Sequence, residues 1–252
     1  MNSSASSGPA PLSRRQEYRQ ATIEEIKGLA RCQLAEHGPG ALSLRAIARD
    51  MRMASSALYR YFASYDDLIT ALCVDAYNSV ADALTQARDA RPADDHAGRW
   101  WAICHAHRRW ALDNPADFAL IFGTPVPGYQ APARVTGPAA GRLAAALFDV
   151  YAAAAHARAA RPDRTQVPEK LEVGELLTEL LPEAGAHHPP RLAGIAATAW
   201  ASVLGYLVAE IFGSLTRLIP DTDQLYDAHL RTVMLGMGFD PDLIQAAGRD
   251  EA

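Results

Sequence analysis

The segment from Leu42 to Phe62 restricts the fold more than any other part of this chain. Its first half predicts a helix over about Leu44–Met51, since apolar residues recur at helical spacing at Leu44, Ile47, Ala48 and Met51. Its second half predicts a helix over about Ser55–Phe62, with Leu58 and Phe62 facing inward. We expect Ser43, and either Ser55 or Ser56, to cap these two helices.

Two helices of this length cannot bury enough apolar surface alone, so a third helix must pack on them. The chain supplies one upstream, predicted over about Arg14–His37, with one apolar face formed by Ile23, Ile26, Ala30 and Leu34. The sequence therefore predicts a three-helix unit with a helix-turn-helix at its end.

The outward face of that helix pair is rich in arginines, hydroxyls and phenols, and Asp50 is its one carboxylate. Arginine reads guanine edges, hydroxyls bond phosphate oxygens, and small side chains such as Ala57 allow close approach to DNA. The candidate DNA contacts on this face are Arg45, Arg52, Ser55, Ser56, Ala57, Tyr59, Arg60 and Tyr61. The alternative interpretation is a solvated charged face on an ordinary helical hairpin.

The distribution of charge supports DNA binding at one end of the chain. Residues 1–65 hold nine Lys/Arg and five Asp/Glu, whereas residues 66–252 hold 15 Lys/Arg and 24 Asp/Glu. A basic unit on an acidic body is expected of a protein that meets nucleic acid with one part only.

The compartment is expected to be the cytoplasm. Cys32, Cys73 and Cys104 are widely spaced, which favours reduced thiols. The first residues lack the apolar core of a signal peptide, and we expect no membrane span, which would need about 18 uncharged apolar residues.

From Gly38 to Leu72 the chain resembles the N-terminal domain of the TetR family of transcriptional repressors. The matching residues are Gly40, Ser43, Ile47-Ala48, the run Ser55-Ser56-Ala57-Leu58-Tyr59-Arg60-Tyr61-Phe62, and Asp66-Asp67-Leu68. The resemblance implies a DNA-binding domain over residues 13–64, and it adds Ser43 and Tyr65 to the candidate DNA contacts.

Two positions depart from the family pattern. Arg52 stands where the turn usually has Gly, and an arginine adopts a positive φ only at some cost, so we expect a slightly different turn and a phosphate contact from Arg52. Tyr65 replaces a phosphate-binding Lys, which should flatten the salt dependence of DNA binding by about one unit of slope per site.

Beyond residue 64 the sequence reads as an all-helical body to about residue 240, with tails over 1–12 and 241–252. We predict a loop over 124–138, a break at 187–190, and helices over about 65–90, 95–113, 115–122, 139–160, 169–181, 191–218 and 224–236. The fold class is therefore all-α: a three-helix DNA-binding domain followed by a helical regulatory and dimerisation domain.

The predicted helix over 191–218 is nearly uncharged, and small residues recur every four positions at Ala197, Ala201, Gly205 and Ala209. Such a helix is either a core helix or part of a subunit interface. The TetR resemblance implies a homodimer formed by this helix and the next one, 224–236. The body also resembles the WHG regulatory domain of that family, through Asn114-Pro115, Phe118, Phe122-Gly123, Trp200 and Gly205, although Leu204 replaces its usual His.

Aromatic side chains in the body suggest a pocket for a small molecule, since such pockets are mostly apolar with a few polar anchors. The candidate ligand-binding residues are Trp100, His105, Trp110, Phe118, Phe122, Tyr151, Trp200 and Tyr206. For any one of them the alternative is a place in the core. Cys104, His105 and His107 do not converge on one helix face, so we expect no metal and no cofactor.

We predict from these features a transcriptional regulator that binds a palindromic double-stranded DNA operator as a homodimer and is released by a small-molecule effector. Two alternatives remain open: an activator, and a ligand-binding or enzymatic helical protein without DNA binding. Because the sequence has no glycine-rich phosphate loop and no GxSxG motif, we do not expect an enzyme.

Overall fold

A computed structural model describes residues 13–38, 42–123, 125–126, 128–172, 174 and 190–249. Within them the regular structure is ten α-helices and one short 3-10 helix, which confirms the predicted all-α class. The chain divides into two compact units, Met1–Ile69 and Thr70–Ala252, called here the first and the second unit. The division falls five residues beyond the predicted boundary. The predicted tail over 1–12 lies outside the described residues.

The first unit is built on a long helix, α1 (Arg14–His37), with the predicted bounds. Ser13 caps it: the Ser13 hydroxyl accepts from the backbone N–H of Gln16, and the Gln16 side chain accepts from the backbone N–H of Ser13. The helix ends at Gly38, whose φ of 77° belongs to the left-handed region that glycine tolerates. Ile26, Ala30 and Leu34 are buried, while Ile23 is only half-buried.

Helices α2 (Leu44–Asp50) and α3 (Ser55–Leu58) form the helix-turn-helix. Ser43 caps α2 as predicted, but the predicted cap of α3 at Ser55 or Ser56 is wrong, since Ala54 holds that position without a side-chain bond. α3 is also shorter than the predicted 55–62. Residues 59–61 continue it as turns, with Tyr61 and Phe62 each donating a backbone bond to the Leu58 carbonyl. The core residues of the unit include Ile26, Ala30, Ile47, Ala48, Leu58, Phe62, Leu68 and Ile69.

Seven more helices follow in the described part of the chain. They are α4 (Tyr65–Asp89), α5 (His96–Asp113), α6 (Pro115–Phe122), α7 (Ala133–His156), α8 (Pro190–Ile211), α9 (Thr222–Gly236) and α10 (Pro241–Ala247). The 3-10 helix Pro162–Arg164 lies between α7 and α8. Ser64 accepts from the backbone N–H of Asp67 at the start of α4, as predicted.

Helix α5 lies at the centre of the second unit and packs against α6, α7, α8 and α10. Its Trp100, Trp101 and Ile103 are almost completely buried, with Tyr151 and Tyr226 among the other large core side chains. Burial of these large aromatic side chains removes much apolar area from water and stabilises this unit.

Four predicted boundaries in the second unit are wrong, and one of them is the end of α7, at His156 and not at residue 160. The loop expected over 124–138 ends early, because α7 starts at Ala133: Pro132 is its N-cap and Pro138 lies in its second turn. Helix α8 ends at Ile211 and not at residue 218, since Gly213 adopts a left-handed φ of 76° and Leu215 donates back to the Ala209 carbonyl. Residues 241–247, predicted as a tail, form α10, whose Ile244 and Ala247 are buried.

Other predictions fall partly or wholly on residues outside those described. Residues 169–172 are not helical, and the remainder of the helix expected over 169–181 lies outside the described residues, apart from Gly174. Residues 187–189 of the predicted break also lie outside the described residues, and Pro190 is the first residue of α8.

Helix α8 bears on the expectation that the chain has no membrane span. Residues 192–209 form an uncharged run of 18, and α8 is long and apolar enough to cross a membrane by length and composition. A buried core helix has the same composition. Because Ile195, Ala199, Val203 and Leu207 are buried and α8 packs against α5, α7 and α9, these contacts favour the core interpretation.

A short backbone pairing joins the segment after α7 to the link between α9 and α10. Ala160 and Phe239 form an antiparallel bridge, and the Arg161 N–H donates to the Gly238 carbonyl at 2.7 Å. Gly238 has φ 83°, and a Cβ there would lie 2.4 Å from the Arg161 carbonyl oxygen. A glycine is therefore required at this position.

We predict that Gly238→Ala lowers the free energy of unfolding of the second unit by at least about 2 kcal/mol, through the positive φ and the clash. Gly137→Ala is the control: that glycine lies inside α7 with no neighbour within 4 Å, so alanine should stabilise the helix by about 0.5–1 kcal/mol. Urea unfolding followed by tryptophan fluorescence measures both, because all four Trp lie beyond residue 99. Equal effects would contradict the structural role of Gly238.

Candidate DNA-binding surface and ligand cavity

Most of the predicted DNA contacts lie on the surface of the first unit. The exposed ones are Arg45, Arg52, Ser55, Ser56, Tyr59 and Arg60, and the half-buried ones are Ser43, Ala57, Tyr61 and Tyr65. With Arg49, which is also exposed, the α2–α3 surface therefore presents four exposed guanidiniums and three exposed hydroxyl groups. Its carboxylate, Asp50, lies 3.7 Å from the Arg49 guanidinium, which offsets its charge.

Two of the half-buried candidates have structural partners within the first unit. The Ser43 hydroxyl accepts from the Ala46 N–H at the start of α2, and the Ser43 N–H donates to Gln33 Oε1 at 2.9 Å. The Arg19 guanidinium lies 5.7 Å from the centroid of the Tyr61 ring, a cation–π contact between α1 and the end of the helix-turn-helix. Gln33 and Arg19 thus position these residues, and sequence reasoning did not assign Gln33 that role.

Arg52 adopts a left-handed backbone conformation, the kind that glycine adopts most easily. Its φ is 55°, in the left-handed region, where a side chain other than Gly or Asn costs about 1 kcal/mol. The turn therefore keeps the left-handed geometry that a glycine would adopt, and the different turn expected from the sequence is not found. The exposed Arg52 side chain adds a positive charge to the α2–α3 surface.

We predict that Arg52→Gly stabilises the first unit by about 1 kcal/mol, whereas Arg52→Ala, which keeps the strain, leaves its stability unchanged. The first unit contains no Trp, so hydrogen exchange of the α2 and α3 amides is the suitable measurement. Slowing by about fivefold in the Gly variant alone is the expected result. Equal exchange in the two variants would show that the turn is unstrained.

The eight predicted ligand residues separate into two groups. Trp100, Phe118 and Tyr151 are fully buried core residues, and the Tyr151 hydroxyl donates to the Met237 carbonyl. The Trp110 indole donates to the Ser79 hydroxyl, the Tyr206 hydroxyl donates to the Thr222 carbonyl, and His105 Nε2 lies 3.2 Å from an Asp227 carboxylate oxygen. Phe122 and Trp200 line a cavity, whereas the other six candidates have the core contacts given above.

That cavity, called here the aromatic cavity, has a volume of about 270 Å³ and lies between α4, α6, α7 and α8. Its lining consists of Tyr77, Phe122, Ala140, Leu143, Ala144, Leu147, Phe148, Ala197 and Trp200. Sequence reasoning missed Tyr77, Phe148 and the alanines. The regular spacing of Ala140, Ala144 and Phe148 on α7 was an available signal, but it does not show which helices face it.

His107 lies behind the wall of this cavity, between aromatic rings. Its imidazole is stacked on the Trp200 ring at 5.0 Å between centroids, and the Phe122 ring lies 5.7 Å away. Neither ring nitrogen has a hydrogen-bond partner among the described residues. Burial disfavours the charged form and lowers the pKa of His107 from 6.5 to about 3, so the imidazole is neutral at physiological pH.

We predict that His107 makes the second unit less stable in mild acid. A pKa that is lower in the folded than in the unfolded state means that the unfolded chain takes up the proton first, so stability falls as pH drops below about 6.5. At pH 5 the loss is about 2 kcal/mol, and it continues towards pH 3. His107→Phe, which retains the ring stack, should remove this loss in urea unfolding at pH 8 and pH 5.

The matched control is His156→Phe, since His156 is exposed at the end of α7. This variant should keep the pH dependence of the unsubstituted protein. Retention of the full acid destabilisation in His107→Phe would show that His107 is protonated, or paired, in the folded state.

A second cavity, the α8–α9 cavity, has a volume of about 250 Å³ and a more polar lining, in which Thr198, Ser202, His229 and Thr232 take part. Among the described residues no group of three or more His, Cys, Asp or Glu side chains is arranged to hold a metal ion. Cys104 is buried in the core, and burial raises the pKa of its thiol.

Two family models match the chain, one mainly in the first unit and one within the second unit. The model described as "Bacterial regulatory proteins, tetR family" matches residues 29–72, which contain the helix-turn-helix. The model described as "Tetracyclin repressor-like, C-terminal domain" matches residues 100–233, which run from α5 into α9. The second match covers more than half of the chain.

Individual proteins agree with these matches. The chain is 37% identical over 224 residues to the HTH-type transcriptional regulators Rv1816 of Mycobacterium tuberculosis and Mb1846 of Mycobacterium bovis, covering 88% of this chain and 95% of each relative. The crystal structure of the regulatory protein SCO4313 is 35% identical, with a TM-score of 0.69 over 88% of this chain and 99% of that one. A structure from Rhodococcus sp. RHA1, at 20% identity and a TM-score of 0.64 over 86% and 95% of the two chains, shares the fold.

Proposed function

The chain belongs to the TetR family of transcriptional regulators, and we propose that it is a ligand-responsive repressor that binds a palindromic operator as a homodimer. The helix-turn-helix makes it a DNA-binding regulator. The repressor role, the homodimer, release by a small molecule, and action in the cytoplasm are the finer parts of the proposal.

The observation that carries the proposal is the α2–α3 surface. Arg45, Arg52 and Arg60 are exposed and form no ion pair among the described residues, while Ser55, Ser56 and Tyr59 supply exposed hydroxyls. In a helix-turn-helix the second helix enters the major groove and the first crosses the backbone. We propose that α3 and the turn after it read bases, and that Arg45 and Arg52 contact bases or phosphates nearby.

A homodimer is supported by the outer face of α8 and α9. Ala197, Ala201 and Gly205, at the predicted four-residue spacing, are exposed on α8, and none of them carries charge. The neighbouring face of α9 is also uncharged and exposed at Ala228, Thr232, Leu235 and Gly236. Small uncharged side chains permit close helix approach, and an apolar face of this kind is the expected site for a second copy. Two copies would place their α3 helices about one DNA turn, ~34 Å, apart.

The aromatic cavity supports a ligand response, because its wall includes α4. Tyr77 on α4 meets Phe122 on α6 edge-to-face, with 6.2 Å between ring centroids, and both line the cavity. Earlier on α4, the Thr70 hydroxyl lies 3.0 Å from the Tyr129 hydroxyl. A ligand that displaces Phe122 or Tyr77 would act on α4, whose first residues belong to the first unit. Such a ligand shifts the equilibrium between conformers that bind DNA and conformers that do not, by as much as its affinities for the two differ.

An activator remains the alternative within the same family, because the sign of regulation depends on where the operator lies relative to the promoter. The alternative of a helical protein without DNA binding does not account for the exposed cationic surface on a recognised helix-turn-helix. Membership of a family of transcriptional regulators also accords with the expectation that the chain is not an enzyme.

Footprinting of the purified protein on random and self-upstream DNA at physiological salt tests the proposal. We predict a protected palindrome, and a loss of about 1–3 kcal/mol of operator affinity for Arg45→Ala, with about 1 kcal/mol for Tyr59→Phe. If Arg45 contacts a phosphate, its removal also lowers the salt slope by about one unit. Arg164→Ala, an exposed arginine in the second unit, is the control and should leave affinity unchanged.

Changes below about 0.5 kcal/mol in both variants would show that the assigned face is wrong. Protection of a single half-site would contradict the homodimer.

A further inference from the structure

Resting on the ligand response proposed above, we propose that the aromatic cavity selects an uncharged, flat aromatic molecule of about two fused rings. The inference concerns the chemical class of the effector. It rests on the volume of the cavity, on the side chains of its wall, and on the charges around it.

The volume sets the size of the ligand. An apolar cavity of about 150 Å³ binds benzene. The aromatic cavity, at about 270 Å³, has nearly twice that volume, which corresponds to a bicyclic molecule.

The side chains of the wall determine its shape and polarity. Four of the nine lining residues are aromatic: Tyr77, Phe122, Phe148 and Trp200. Aromatic rings pair favourably with another aromatic ring in offset or edge-to-face arrangements, at about 0.5–1.5 kcal/mol beyond the buried area. The other five are Ala or Leu, which leave a smooth apolar surface. The Tyr77 hydroxyl and the Trp200 indole N–H are the polar side-chain groups among the lining residues, and either can bond a ligand hydroxyl.

The charges disfavour an anion. None of the nine lining residues is ionised: burial raises the pKa of Tyr77, which keeps its phenol neutral. His107, behind Phe122 and Trp200, is a neutral imidazole. Arg142, which lies between lining residues on α7, is bound to Asp82 and Asn78. A carboxylate would lose its hydration in the cavity without gaining a cationic partner, and that loss is costly.

The α8–α9 cavity is the weaker candidate for this class of ligand. Thr198, Ser202, Thr232 and His229 give it a more polar wall.

The test compares two probes that differ in one group: 1-naphthol, which is neutral at pH 7.5, and 1-naphthoate, which is an anion. Isothermal titration calorimetry with the full chain should show binding of 1-naphthol, and binding of 1-naphthoate weaker by at least about tenfold, since burying a carboxylate without a partner is unfavourable. Equal affinity for the two probes would overturn the inference, as would a preference for the anion.

A variant pair places the binding site. Ala144→Leu fills the cavity from α7 and should weaken 1-naphthol binding at least about tenfold, because the added side chain occupies the ligand volume. Ala153→Leu makes the same change at an exposed position of α7 and should leave affinity unchanged. Circular dichroism verifies that both variants are folded. Unchanged binding in a folded Ala144→Leu protein would overturn the assignment to this cavity.

The operator footprint separates this inference from the proposed function. If the palindrome is protected and neither probe binds, the ligand class is wrong and DNA binding stands. If 1-naphthol binds in the cavity but no DNA is protected, the cavity assignment stands and the proposed function fails.

Discussion

The buried guanidinium of Arg108 joins three helices of the second unit. It donates from Nε and Nη2 to the two carboxylate oxygens of Glu210 at 2.8 and 2.6 Å, which ties α5 to the end of α8. It also bonds Thr222 and Asp223 at the start of α9, and it lies 5.0 Å from the centroid of the Tyr226 ring. The hydrogen bond to Glu210 is the largest cause of the raised pKa of Arg108. Because a buried charge without its partner is strongly destabilising, α5, α8 and α9 depend on this pair for their arrangement.

This ion pair accommodates the one carboxylate that lies inside the apolar helix α8. Glu210 is the one carboxylate of α8, and it is 5% exposed. Arg108 neutralises this charge from inside the unit, and the outer face of α8 carries no charge at Ala197, Ala201 and Gly205. The ion pair thus faces inward, and the stripe of small residues faces outward. The outward stripe makes a symmetric contact with another copy physically reasonable.

The aromatic cavity shows a different relation between sequence and site. Tyr77, Phe122, the α7 residues from Ala140 to Phe148, and Trp200 come from four helices that are far apart in the sequence. Their convergence depends on which face of each helix turns inward, and the core around α5 decides that. Trp100 and Tyr151 are as aromatic as Trp200, yet they fill the core, because α5 and the C-terminal half of α7 lie at its centre.

The sequence by itself determined the helix-turn-helix, the all-α class and the bounds of α1 and α6, because capping residues, apolar spacing and glycine act over a few neighbouring positions. It also indicated the arginines and hydroxyls of the α2–α3 surface, since short exposed helices leave little choice of side-chain direction. Local signals failed where distant contacts decide. Burial of Ile244 and Ala247 makes α10 a helix in place of the expected tail. Helix α7 begins at Ala133, before Pro138, where a loop was expected. Only the tertiary structure decided that Phe122 and Trp200, out of eight aromatic and histidine candidates, line the aromatic cavity. It also decided that Arg108 pairs with Glu210. Residues about a hundred positions apart meet only after the helices pack.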